Sequence, residues 1–247
     1  MAGTCAVLRA IGAAQAVPVV VHPDQFVTRG LRLGPRVVPL QPLPARAAIE
    51  AAGGTVVASD QAVLVGGDTV LVSGEIPRVT AYEAGMKGHV RRLGDGTWVD
   101  DPDVTDESYA SWYWLQSIDG FPCDSPDHRP ALTRCVAINV RGRGLVIISG
   151  CAHAGIVNSV YEAQALAATT DVAAIFGGFH LAPLSSANRI PKTVAALAAV
   201  APALIVPGHC TGVPATRAIA TAFPRAYCPA TVGKTVTIVG TAGEAVE

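Results

Sequence analysis

From residue 144 onward the chain repeats one pattern three times: a short apolar, mostly β-branched run, a glycine-bearing turn, then a stretch of helical composition. The runs are Gly144-Leu-Val-Ile-Ile-Ser149, Val172-Ala-Ala-Ile-Phe176 and Ala203-Leu-Ile-Val206. Continuous apolar sequence of this length suits strands buried on both faces. Helices are expected over Ile156–Ala168, from Pro191 onward and over Pro214–Phe223. Pro191 fits a first helical turn, where a missing N–H costs nothing. Strand alternating with helix implies parallel strands joined by crossovers, so the fold class is α/β. A last strand is expected near Thr235–Val239.

The front half is less regular. A helix over Thr4–Gln15 feeds a strand at Val17–Val21, and a helix over Ala45–Ala52 precedes strands at Thr55–Ser59, Ala62–Val65 and Thr69–Val72. Gly66-Gly67-Asp68 reads as a hairpin turn. Residues 86–134 read as loop-rich. Trp98, Trp112 and Trp114, with Tyr109 and Tyr113, either form a lid or anchor a long loop to the body.

Three of the six histidines share one address. His153, His180 and His209 each follow one of the apolar runs, in Ser149-Gly-Cys-Ala-His153, Gly177-Gly-Phe-His180 and Pro207-Gly-His209. Parallel strands end along one edge of their sheet, where open α/β sheets place ligands, so the three imidazoles are expected to converge there. Converging neutral imidazoles suit Zn, Fe or Mn. Cys151 and Cys210 flank them as ligands, as a nucleophile paired with a histidine base, or as small buried residues. His22 in His-Pro-Asp reads as structural, and His89 and His128 as solvated loop residues. Glu75 and Arg78 read as an internal ion pair or a phosphate contact. Arg189 and Lys192, near His180, are either a solvated helix end or a contact for an anionic substrate.

Composition excludes several classes. Hydrophobic residues make up 50% and charged residues 15%, which is not the composition of a disordered chain. Lys+Arg 18 against Asp+Glu 19 gives no global pull toward nucleic acid or a membrane surface. The longest apolar stretches are too short to span a bilayer. Six cysteines without a CxxC pair, and an N-terminus without a basic region before its apolar residues, lead to the expectation of a cytoplasmic location. The expected partner is a small-molecule substrate.

The stretch Gly144–Asn158, followed by Gly177-Gly-Phe-His-Leu181 and Pro207-Gly-His-Cys-Thr-Gly212, resembles the metallo-β-lactamase superfamily, in particular its dihydropterin-type ribofuranosylaminobenzene-phosphate synthase-like branch. Val17-Pro-Val-Val-Val-His-Pro-Asp24, Ser73-Gly-Glu-Ile-Pro-Arg78 with Glu83, and Asp101-Pro with Asp106-Glu107 agree with it. The resemblance implies one domain over 1–247, a sandwich of two mixed sheets with helices outside (αββα), and a loop-rich insertion at about 108–134. It implies a metal-dependent hydrolase or related transferase, with one or two Zn ions (or Fe or Mn) and His153, His180 and His209 as metal ligands. His180 stands at the position that usually bridges two metals. The family's first metal motif, H-x-H-x-D-H, is expected before Val17, and the sequence contains no H-x-H. The chain therefore reads as a member lacking its N-terminal strands, through a start assigned downstream or as a true remnant. The remnant alternative is a catalytically silent fold that binds a small molecule or a protein.

Overall fold

The structure is a computed structural model that describes residues 2–40, 44–83, 88–101, 134–182 and 186–241. The chain divides into two compact units, one of residues 1–61 and 86–117, the other of 62–85 and 118–247. The segment about 108–134, with Trp112, Trp114, Tyr109, Tyr113 and His128, lies outside the described residues up to 133, and so do Asp106 and Glu107.

The first unit opens with α1 (Ala2–Ile11), followed by β1 (Val17–Val21). A hairpin of β2 (Arg29–Leu33) and β3 (Arg36–Pro39), α2 (Arg46–Ala51) and β4 (Gly54–Ala58) come next. β1 and β4 pair in parallel. Cys5 and Leu8 of α1, Ile49 of α2, and Val21 and Val56 of the strands bury a small core between them. A four-stranded antiparallel sheet has the order β3-β2-β7-β8, where β7 is His89–Arg92 and β8 is Trp98–Asp100. Asp101, fully buried after β8, accepts a 2.6 Å hydrogen bond from Arg29 Nε. A carboxylate taken out of water needs such a partner. His22 is buried and its Nδ1 accepts the Asp24 N–H at 3.0 Å, capping a short 3-10 turn. The structural reading of His22 matches that geometry. His89 is not a solvated loop residue: it is half-buried on β7.

The second unit is built on a six-stranded mixed sheet of order β12-β11-β10-β9-β6-β5. Its strands are β5 (Val63–Val65), β6 (Val70–Val72), β9 (Cys135–Val140), β10 (Gly144–Ser149), β11 (Val172–Gly178) and β12 (Leu204–Gly208). The expected hairpin turn at Gly66-Gly67-Asp68 joins β5 and β6, with positive φ at all three residues. β10, β11 and β12 are parallel, with α3 (Ile156–Leu166), α4 (Arg189–Val200) and α5 (Val213–Ala222) as the helices. Ile147, Ile175 and Ile205 stand side by side in this register and are fully buried. They join Ile156, Val157 and Val160 of α3, Leu197 of α4 and Ile219 of α5 in the main core. Each such side chain contributes about 1.5–3 kcal/mol on burial. Val146 and Ala174, on the opposite face, bury a second cluster with Ile138 and Phe176. Burial on both faces thus holds along most of β10, although Ile148 is 42% exposed.

Several local expectations change. Among the described residues the strands form three sheets, of which the six-stranded one is mixed. Within the expected loop-rich stretch 86–134, β7 and β8 supply two short strands. Thr235–Val239 is no strand: the Thr241 N–H bonds the Arg141 carbonyl and Arg143 Nε bonds that of Val239, so the segment is pinned to the β9–β10 turn. Among the described residues no helix is long and apolar enough to cross a membrane.

Candidate metal centre

Because β10, β11 and β12 are parallel, the turns that follow them share one sheet edge. Backbone bonds stitch those turns together. The Gly178 N–H donates to the Gly150 carbonyl at 2.8 Å, and the Ala182 N–H to the Cys210 carbonyl at 3.0 Å. Thr211 Oγ1 accepts the Phe179 N–H at 3.1 Å and donates to the Gly208 carbonyl at 2.7 Å. The edge is a braced shelf, and its backbone is under tension where the candidate side chains sit. Ala152, His180 and His209 have φ of 48°, 50° and 50°. Non-glycine residues adopt that region seldom, at a cost of about 1–3 kcal/mol, and such residues cluster at functional sites.

The imidazoles of His153 and His180 meet edge to face, with centroids 4.6 Å apart and planes at 73°. Both are half-buried. His209 is exposed and is grouped with the two thiols: its Nδ1 lies 3.4 Å from Cys151 Sγ. The Cys210 thiol donates to the Cys151 carbonyl at 3.4 Å. The ligand atoms of Cys151, His209 and Cys210 all lie within 4.8 Å of one another. Burial, with the neighbouring Cys210 thiol, pushes Cys151 up to about 11. That is the reverse of the depressed value a thiolate nucleophile requires.

A divalent metal fits this donor set. Two thiols and an imidazole are zinc-type ligands, and three protein donors leave one position open, as in catalytic sites. Gly178 supplies the room. A Cβ there would stand 2.7 Å from Cys210 Sγ and 3.2 Å from His209 Nδ1, so only a glycine lets the turns close around these donors.

The turn that carries Cys151 and His153 is anchored from a distance. Gly155-Ile-Val-Asn158 opens α3 without a Ser, Thr or Asp cap, which leaves its first N–H groups in need of an acceptor. Glu83 supplies it: Oε1 accepts the Val157 N–H at 3.1 Å and Oε2 the Asn158 N–H at 2.9 Å. The Thr80 hydroxyl donates to the same carboxylate. Gly155, at φ 102°, has its missing Cβ position filled by the Glu83 side chain. Asn158 returns the contact. Its Oδ1 accepts the N–H groups of Val79 and Thr80 at 3.0 and 2.9 Å, and its Nδ2 donates to the Ala154 carbonyl at 2.6 Å. Burial raises Glu83 above the usual carboxylate value, against the opposing pull of the Asn158, Val157 and Thr80 bonds and of Arg189. Neither Glu83 nor Asn158 has a role that sequence alone assigns. The sequence Gly155-Ile-Val-Asn158, with no capping side chain at the start of α3, is the signal that could have found them. Of the other candidates, Arg78 is buried and Glu75 half-buried. Arg189 and Lys192 lie at the start of α4, where the Lys192 ammonium sits 5.9 Å over the Tyr82 ring.

No protein-family model matches the chain. Over 73 residues, 30% of the chain, it is 41% identical to the 7,8-dihydropterin-6-methyl-4-(β-D-ribofuranosyl)-aminobenzene-5′-phosphate synthase of Methanocaldococcus jannaschii. That match spans 24% of the length of the synthase. The fold is similar to the crystal structure of Tm1679, a metal-dependent hydrolase of the β-lactamase superfamily, with a TM-score of 0.64 and 16% identity. The match covers 94% of this chain and 74% of that one. At this identity the likeness concerns architecture, and the fold of this chain is that of the metallo-β-lactamase superfamily.

Proposed function

We propose that this chain is a metal-dependent hydrolase or related transferase acting on a small anionic molecule. His153, His180 and His209 hold one or two divalent ions, Zn first and Fe or Mn next, at the edge where β10, β11 and β12 end. The observation that carries this reading is the gathering of imidazoles and thiols on the turns after three parallel strands of one mixed sheet, braced by inter-turn hydrogen bonds. A bound ion supplies Lewis acidity for hydrolysis or transfer.

The protein's own part is to hold donors in place. Glu83 and Asn158 fix the turn that bears His153, and Thr211 ties the turn after β12 to the one after β11. Preorganised donors need no rearrangement when an ion or substrate arrives. Arg189 and Lys192, in the first turn of α4, are the cations proposed to meet an anionic substrate. The described cysteines are all free thiols, in keeping with the proposed cytoplasmic location.

Elemental analysis of the purified chain, paired with phosphodiesterase and esterase assays, tests the reading. Near-stoichiometric Zn, Fe or Mn is expected, with turnover that a chelator abolishes and that His153→Ala lowers at least a hundredfold. Little bound metal, or turnover indifferent to chelators, would overturn it and leave a binding module.

A further inference from the structure

We propose that Cys151, His209 and Cys210 form a thiolate-containing metal set, so that the centre takes a thiophilic divalent ion such as Zn²⁺ in preference to Mg²⁺, Ca²⁺ or Mn²⁺. The inference rests on the reading that these turns hold a metal and goes beyond it by naming two sulfur donors. It does not depend on hydrolysis.

The geometry suits a shared ion. Two ligands of a tetrahedral zinc, with Zn–S about 2.3 Å and Zn–N about 2.0–2.1 Å, stand roughly 3.5 Å apart. Cys151 Sγ and His209 Nδ1 are 3.4 Å apart, and Cys210 Sγ completes a group whose ligand atoms all lie within 4.8 Å. The donors come from two turns, Cys151 after β10 and the adjacent pair His209-Cys210 after β12. Between those strands runs β11, and it ends at the glycine whose absent side chain makes space for Cys210 Sγ and His209 Nδ1. The second turn is held by the Ala182 and Phe179 N–H groups, through the Cys210 carbonyl and Thr211 Oγ1, so its donors are positioned by backbone.

Chemistry narrows the ion. Thiolates select soft and borderline metals, whereas Mg²⁺, Ca²⁺ and Mn²⁺ prefer oxygen. On binding, each thiol releases its proton to solvent and its sulfur donates a lone pair to the ion. His209 is exposed and both cysteines are half-buried, so an ion can reach the donors from solvent.

Co²⁺ titration of the reduced, metal-stripped full chain provides the test. One equivalent of Co²⁺ is expected to bind, with a thiolate-to-metal charge-transfer absorption in the near ultraviolet and intense visible bands of tetrahedral cobalt. One equivalent of Zn²⁺ should bleach both, and a large excess of Mg²⁺ should not. Cys151→Ser and Cys210→Ser should each keep about half of the charge-transfer intensity, since one thiolate remains, and the double variant should show none. Cys228→Ser, outside this donor group, should match the parent chain. Far-ultraviolet circular dichroism of every variant separates a lost ligand from a lost fold. A cobalt complex without charge-transfer absorption, no complex at all, or a full band in a folded double variant would each overturn the proposal. Hydrolytic turnover is not read in this experiment, so a silent enzyme that binds Co²⁺ through sulfur supports it.

Discussion

The carboxylate of Glu83 accepts the backbone N–H of Asn158 at 2.9 Å across 75 positions of sequence, and the Asn158 side chain accepts in return from Val79 and Thr80. This reciprocal clasp closes the start of α3 and sets the turn that presents Cys151 and His153. A helix that begins with apolar residues carries no cap of its own, and here one buried acid from a preceding loop serves instead.

Glu83→Ala leaves the N–H groups of Val157 and Asn158 without their acceptor in a buried setting. A loss of roughly 2–4 kcal/mol of unfolding free energy is expected in urea titrations. Glu83→Gln keeps one carbonyl acceptor, so its loss should be smaller. Equal stability of Glu83→Ala and the parent would show that the clasp contributes nothing.

Gly178→Ala tests the packing of the shelf. The added methyl meets Cys210 Sγ and the Gly150 carbonyl, each at 2.7 Å, and the carbonyl belongs to backbone that is already hydrogen-bonded. Destabilisation of about 1–3 kcal/mol is expected, together with at least tenfold weaker metal binding by calorimetry. A Gly150→Ala control, with nothing within 4 Å of its added Cβ, should bind as the parent does.

His89 gives a pH dependence of known sign. Burial, with the Arg29 charge, holds it below its ordinary value and outweighs Asp101. The unfolded chain therefore takes up this proton at higher pH than the folded one does. Stability from this group is complete above about pH 6.5, falls as the pH drops from there toward the lowered folded value, and is flat below it. His89→Gln should remove that part of the decline, read as the difference between parent and variant urea midpoints from pH ~7.5 to ~5. Parallel midpoint curves would refute it.

Zn²⁺ should stabilise the folded chain. At a free concentration one hundred times its dissociation constant, an ion that binds only the folded form adds about 2.7 kcal/mol. The thermal midpoint is therefore expected to rise with added Zn²⁺ and to fall on chelation. The shift should vanish in the double variant Cys151→Ser, Cys210→Ser. A midpoint insensitive to both zinc and chelator would count against any metal at these turns.

The sequence alone located β10, β11 and β12 and their helices to within a few residues. It also placed His153, His180 and His209 just past the strands. Those features are local: a continuous apolar run specifies a buried strand, and parallel connectivity then assigns every turn after a strand to one edge. What sequence left open depends on partners far away in the chain. β9 and the hairpin of β2 and β3 are short pieces without a period of their own, defined by the strands they pair with. Thr235–Val239 has strand composition and forms none, because its hydrogen bonds go to the turn at Arg141 and to Arg143. The pairing of His209 with two thiols, and the acid that caps α3, are set by side-chain distances across the sheet edge. Periodicity along the chain carries no information about such distances, and only the folded backbone decides them.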